Sequence, residues 1–171
     1  GVEVRLKPKF SKVLNFIDIY KLNIENNEPI IIDVGANRGQ SIERFLKIFK
    51  SPKIFAFEPN PEIFKQTNQK YKDYENITIN NLGVAKNECN IPLNVTINSG
   101  NSSFHDLTKD SEWLKIRSKQ FNTTAENYIQ STEDVRIITL DNYCIQNNIK
   151  NIVLTIKTIV LLQVLTEFNL S

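Results

Sequence analysis

An apolar run that ends in an acid and a glycine-containing turn constrains this chain more than any other feature. Three isoleucines at residues 30–32 lead into Asp33, and glycines follow at Gly35 and Gly39. The run is β-branched and too short for a helix, so it predicts a strand buried on both faces. Residues 40–50 carry their apolar side chains on one side of a predicted helix. Strand, turn and helix together predict a nucleotide-binding unit, with free N–H groups and the positive dipole end of the helix directed at the ligand.

The composition favours one globular domain and argues against several functional classes. The 171 residues are 40% hydrophobic, enough for one core, and the net charge of +2 includes no dense basic run for nucleic acid. His105 is the only histidine, and Cys89 and Cys144 stand far apart, so we predict no metal site and a reducing, cytoplasmic location. The late apolar stretch 152–165 is shorter than the roughly twenty residues that cross a membrane, and no secretory signal is expected.

The rest of the chain alternates between strand and helix patterns. Helices are predicted at 11–23, 62–71 and 141–148, and strands at 53–58, 76–81, 90–95, 135–140 and 151–156. Residues 82–85 are expected to extend the strand before them, and Pro92 predicts an edge strand. Residues 104–132 carry a weak signal and are interpreted as an insertion within a single domain of residues 1–171. The alternation predicts an α/β layer fold with a mainly parallel sheet.

The turn and the second strand narrow the choice of ligand. Asn37 stands where the dinucleotide motif has its second glycine, which weakens an NAD or FAD interpretation, and no phosphate-loop lysine follows. Glu58 ends the second strand nineteen residues after Gly39, where a carboxylate accepts both ribose hydroxyls of an adenosine. Asp33 suits a positively charged amino-acid group or a water network. An adenosine with a zwitterionic tail and no phosphate matches best, which predicts S-adenosylmethionine (SAM) as the cofactor.

Two segments closely resemble the FkbM family of class I SAM-dependent methyltransferases. They are residues 32–39, Ile-Asp-Val-Gly-Ala-Asn-Arg-Gly, and residues 55–61, Phe-Ala-Phe-Glu-Pro-Asn-Pro. Residues 138–144 are similar to a third family stretch, Thr-Leu-Asp-Asp/Asn-Tyr. The resemblance implies a Rossmann-like fold with helices on both faces of the sheet. It also implies that the turn and the end of the second strand contact the cofactor through Asp33, Gly35, Ala36, Asn37, Gly39 and Glu58. The segment after strand three, with Leu82 and Gly83, would lie near the adenine.

The chain departs from the family pattern near its end. After a segment like Asn151-Ile152, family members continue into Lys-Ile-Asp-X-Glu-Gly, whereas residues 156–162 read Ile-Lys-Thr-Ile-Val-Leu-Leu. In the family those acids lie beside the methyl group, so no catalytic residue is predicted for this chain. We expect a truncated or frameshifted member whose sheet is incomplete at the C-terminus and leaves an apolar edge uncovered.

Three functions stay open at this point. The first is a SAM-dependent methyltransferase that acts on a hydroxyl of a sugar, glycan or natural product, mostly by positioning its substrates. The second is a SAM-binding remnant without activity, and the third is an NAD-dependent oxidoreductase, which Asn37 disfavours. The expected partner is a small-molecule or glycan acceptor, with no nucleic acid, and no residue selects among acceptors or fixes an oligomeric state.

Overall fold

The computed structural model describes residues 28–97 and 112–157, without the side chains of Trp113 and of residues 153–157. The predicted helix at 11–23, His105 and the segment from residue 158 onward lie outside the described residues. The elements run in the order β1 (Ile30–Val34), α1 (Gln40–Ile48), β2 (Lys53–Phe57), α2 (Pro61–Tyr71), β3 (Ile77–Asn80), β4 (Gly83–Val84), β5 (Cys89–Thr96), α3 (Glu112–Gln120), α4 (Ala125–Tyr128), β6 (Ile129–Ile138), α5 (Leu140–Gln146) and β7 (Ile152–Lys157).

The main sheet has four parallel strands in the order β3-β2-β1-β7. This is the beginning of the strand order of doubly wound Rossmann-like folds, in which the direction of winding reverses beside the first strand. The predicted α/β class, with its mainly parallel sheet, is therefore confirmed. In such sheets ligands bind at the carboxyl ends of the strands where the winding reverses, which here is between β1 and β7.

The isoleucine run of β1 is apolar on both sides because both faces of the sheet are covered. Ile31 and Ile54 belong to one buried cluster, together with residues of α1 and α2. Ile32 and Phe55 point to the opposite face and belong to a second cluster, which Tyr143 of α5 joins. Burying one such side chain contributes about 1.5–3 kcal/mol, so this double burial holds the site-bearing strand firmly.

A second, three-stranded sheet has the order β4-β6-β5, with β4 parallel and β5 antiparallel to β6. The expectation that residues 82–85 extend the preceding strand is wrong, because Gly83 pairs with Ile137 instead. The side-chain amide of Asn81 donates to the carbonyls of Glu58 and Pro59 at 2.9 and 3.0 Å, which fixes the chain where it leaves the main sheet. Strand β5, which contains Pro92, lies at the edge of its sheet, as predicted.

Residues 112–132, which were expected to be weakly structured, form α3, α4 and the start of β6. The pattern in α3 is faint because Leu114 and Ser118 are buried while the apolar Ile116 is 54% exposed. The predicted helix at 141–148 begins one residue earlier, where Thr139 rather than Asp141 is the N-cap. Within 28–97 and 112–157, no helix is long and apolar enough to cross a membrane.

Candidate functional site

The turn after β1 is fastened to the end of β2 through its own backbone. The N–H groups of Gly35 and Ala36 both donate to the carbonyl of Phe57, at 2.9 and 3.0 Å. The N–H group of Gly39 donates back across the turn to the carbonyl of Ala36 at 2.9 Å. Gly35 and Gly39 have φ angles of 80° and 82°, which glycine adopts without a Cβ penalty. These bonds fix the path of the turn and occupy three of its N–H groups.

Asn37 and Arg38 use the two remaining N–H groups of the turn. The N–H of Asn37 donates to Oε2 of Glu58 at 2.8 Å, and the N–H of Arg38 donates to Oδ1 of Asn37 at 2.8 Å. Asn37 has a φ of 47°, a left-handed conformation that asparagine tolerates better than most residues. All five N–H groups of residues 35–39 are therefore engaged inside the protein. A ligand at this turn would find no free backbone N–H donor within residues 35–39.

Both the position of Tyr71 and the backbone angle at residue 39 favour glycine at this position. A Cβ at this position would lie 2.6 Å from Cε2 and 2.7 Å from the hydroxyl oxygen of Tyr71, both closer than atoms can approach. The sequence predicts Gly39 as a cofactor contact. The structure gives this glycine a packing role against α2, and its contact with a cofactor stays a prediction.

Glu58 links the glycine turn to the start of α2. Its carboxylate is buried and accepts from the N–H of Asn37 through Oε2 and from the N–H of Asn60 through Oε1, at 2.8 and 2.9 Å. Burial raises the pKa of Glu58, and the two N–H donors act in the opposite direction. Because each carboxylate oxygen has a second lone pair, Glu58 can accept further hydrogen bonds from a ligand.

Asp33 is the most unusual group at this edge of the sheet. It is fully buried at the carboxyl end of β1, and neither carboxylate oxygen has a hydrogen-bond partner within the described residues. Burial, with the negative charge of Glu58 as a second cause, raises the pKa of Asp33 to about 7. Buried carboxylates are normally paired, so this carboxyl is prepared for a partner that carries a donor or a positive charge.

The structure brings together Asp33, the turn and Glu58, but it separates Leu82 and Gly83 from them. Leu82 packs against the second core cluster, and Gly83 is buried in the smaller sheet. The residue before them, Asn81, is the one that contacts the Glu58 backbone. A role for Leu82 and Gly83 near the adenine therefore stays a prediction.

Two side chains of α2 that the sequence did not single out also reach the turn. Oγ1 of Thr67 donates to the carbonyl of Asn37 at 2.6 Å, and the hydroxyl of Tyr71 donates to the carbonyl of Gly39 at 3.1 Å. Both residues are buried. The sequence pattern does not predict this for Thr67, because a polar residue in an amphipathic helix is normally expected on the exposed side. In the part of the chain that the structure covers, no group of three or more histidine, cysteine or acidic residues could hold a metal ion.

Comparison with known proteins places this geometry in context. Residues 33–157 match the family model described as a methyltransferase FkbM domain. The chain is 21% identical over 129 residues to 2-O-methyltransferase NoeI of Sinorhizobium fredii (strain NBRC 101917 / NGR234), a match that covers 75% of this chain and 52% of that protein. The chain thus spans about half the length of this curated relative. A solved rRNA methylase from Streptococcus thermophilus is 21% identical with a TM-score of 0.31, covering 38% of this chain and 36% of that one.

Proposed function

The chain belongs to the FkbM methyltransferase family, and we propose that it transfers the methyl group of SAM to a hydroxyl of a sugar, glycan or natural product. The family supplies the reaction class. The 2-O-methyltransferase among its relatives supports an oxygen atom as the methyl acceptor. The partner we propose is accordingly a small-molecule or glycan acceptor.

The carboxyl of Asp33, which has no hydrogen-bond partner among the described side chains, carries the proposal of SAM as the cofactor. A buried carboxylate without a partner is costly, and a cationic ligand removes that cost by pairing with it. SAM carries an ammonium group on its methionine portion and a positive charge on its sulfur. We assign Asp33 to the ammonium end and Glu58, which keeps free acceptor capacity, to the ribose hydroxyls.

The hydrogen bonding of the turn also favours a ligand without phosphates. Of the N–H donors that a pyrophosphate would use at the turn and at the start of α1, the five of residues 35–39 already have acceptors. Asp33 and Glu58 would in addition place two acidic groups next to any phosphate. Both features support SAM over the NAD alternative.

The protein's share of the chemistry is positioning. Bound SAM would supply a methyl group to an acceptor oxygen by in-line displacement, with S-adenosylhomocysteine as the leaving group and the hydroxyl proton released to solvent. Asp33 and Glu58 would fix the two ends of the cofactor, and such alignment can supply a large part of the rate enhancement. We assign no general base among the described residues.

Calorimetry with SAM, S-adenosylhomocysteine and NAD tests the proposal. We expect SAM and S-adenosylhomocysteine to bind, NAD not to bind, and Glu58→Gln to weaken SAM binding by about tenfold or more. Glu112→Gln, at an exposed position in α3, is the matched control and should bind as the wild type does. Binding of NAD in preference to SAM would refute the cofactor assignment.

A transfer assay with SAM labelled on its methyl group tests the reaction itself. The proposal expects label on the hydroxyl of a sugar or natural-product acceptor. Tight SAM binding with no transfer to any acceptor in a broad panel would instead support the inactive binding protein.

A further inference from the structure

One face of α2 donates to three consecutive carbonyls of the glycine turn. Thr67, Lys70 and Tyr71 are spaced i, i+3 and i+4, so they lie on the same side of the helix. Thr67 donates to the carbonyl of Asn37 at 2.6 Å, Lys70 to that of Arg38 at 3.4 Å and Tyr71 to that of Gly39 at 3.1 Å. These carbonyls belong to a segment with left-handed backbone angles at Asn37 and Gly39, and α2 holds them from outside the turn.

The three donors differ in strength. Thr67 and Tyr71 are 1% and 4% exposed, so their hydrogen bonds are sheltered from competing water. Lys70 is exposed, makes the longest of the three contacts, and also forms an ion pair with Glu43 of α1. Thr67 and Tyr71 are therefore the two donors that control the turn.

Helix α2 is also connected to Glu58, so that the helix, Glu58 and the turn form one hydrogen-bond network. At the start of α2, the N–H of Asn60 donates to Oε1 of Glu58, whose Oε2 accepts from the N–H of Asn37. The carbonyl of Asn37 in turn accepts from Thr67, which lies about two helical turns further along α2. The position of Glu58 relative to the turn is thus set by the helix rather than by the strands alone.

We propose that Thr67 and Tyr71 are positioning residues for cofactor binding, which act by holding the carbonyls of the glycine turn from α2. This inference rests on the proposed SAM-binding function. Neither side chain needs to touch the cofactor. Their removal loosens the turn, and with it the spacing between Asp33 and Glu58 on which the cofactor depends.

The experiment compares Thr67→Val, Thr67→Ser and Tyr71→Phe with Ser118→Ala. Ser118 is the matched control, because its buried hydroxyl also donates to a backbone carbonyl, that of Leu114 at 2.7 Å, on a helix outside the site. The measurements are the dissociation constant for SAM, the midpoint of thermal unfolding, and the amide hydrogen exchange of residues 35–39. Tyr71→Phe keeps its aromatic ring and stays informative if Thr67→Val does not fold.

We expect Thr67→Val and Tyr71→Phe each to weaken SAM binding by about five- to tenfold and to accelerate exchange within the turn. Thr67→Ser should restore both values, and Ser118→Ala should leave both SAM affinity and exchange within the turn unchanged. Wild-type SAM affinity and unchanged exchange in both variants would overturn the proposal. If the wild-type protein binds no SAM, the proposed function fails, whereas hydrogen exchange alone still decides whether α2 holds the turn.

Discussion

Replacing Asp33 with asparagine gives the sharpest test of the buried carboxyl. The side chain keeps its shape but can no longer ionise. In the wild type, burial beside Glu58 raises the pKa of Asp33 from 3.8 to about 7. Between these two values the folded protein holds a proton that the unfolded chain releases. Stability therefore falls as the pH rises through this window, and it is highest at the acidic end.

The size of the effect follows from the separation of the two pKa values. At about 1.4 kcal/mol per pKa unit, a shift from 3.8 to about 7 corresponds to a loss of roughly 4 kcal/mol between acidic and neutral pH. This is a large share of the 5–15 kcal/mol or so that stabilises a typical domain. Asp33→Asn removes this ionisation, so this contribution to the pH slope disappears even if the new amide itself costs some stability.

The assay is urea unfolding at several pH values from 5 to 8.5, without a ligand and with saturating SAM. We expect the wild type to lose stability toward pH 8 and Asp33→Asn to lose much less. Asp134→Asn, at an exposed position in β6, should behave as the wild type does. Saturating SAM should stabilise the wild type more at pH 8 than at pH 5, because the ligand pairs with the ionised form. Equal pH slopes for the wild type and Asp33→Asn would refute the reasoning.

Three further results follow from the same site. If Asp33 must be ionised to bind SAM, the affinity for SAM should strengthen as the pH rises to about 7, approaching tenfold per pH unit. Titration calorimetry of the wild type and of Asp33→Asn checks this. A wild-type affinity that does not change with pH would contradict it. Gly39→Ala places a Cβ against Tyr71 at a φ of 82° and should cost about 1–3 kcal/mol in urea unfolding, an expectation that a neutral result would disprove. Asn60→Ala removes a side-chain oxygen that accepts two N–H groups in the first turn of α2, at 3.0 and 3.3 Å, and should cost about 0.5–2 kcal/mol; Asn60→Asp, which keeps the acceptor, should remain near the wild type.

The features that the sequence predicted well are those that neighbouring residues determine. The isoleucine run of β1 needs only its own composition to be recognised as a buried strand. Asn60 before Pro61 identifies the start of α2 in the same local way, because asparagine is a favoured N-cap and proline a favoured first helical residue, and the Asn60 side chain does cap the helix. Their positions at the ends of the first two predicted strands singled out Asp33 and Glu58, and the structure places them at the ends of adjacent strands.

The features that the sequence did not predict depend on contacts between distant segments. The two-residue strand β4 has no pattern of its own, and its pairing with Ile137 depends on where Asn81 is anchored. Thr67 and Tyr71 act on residues about thirty positions away, so no periodicity within α2 could reveal their targets. That Asp33 has no hydrogen-bond partner among the described side chains is likewise visible only once the surrounding elements are assembled.

The strand order has a consequence for the sequence of events in folding. Ile30 pairs with Lys53 in β2, which follows closely in the chain, but also with Ile152 in β7, which lies near the end of the described residues. Closing the longer loop costs more entropy, so β7 is expected to join β1 after β2 and β3 have already paired with one another. The place where the winding reverses, at the carboxyl ends of β1 and β7, is then formed only at this late step. During synthesis, the strand, turn and acid that we propose to bind the cofactor would therefore emerge before β7, the strand that completes this side of the sheet.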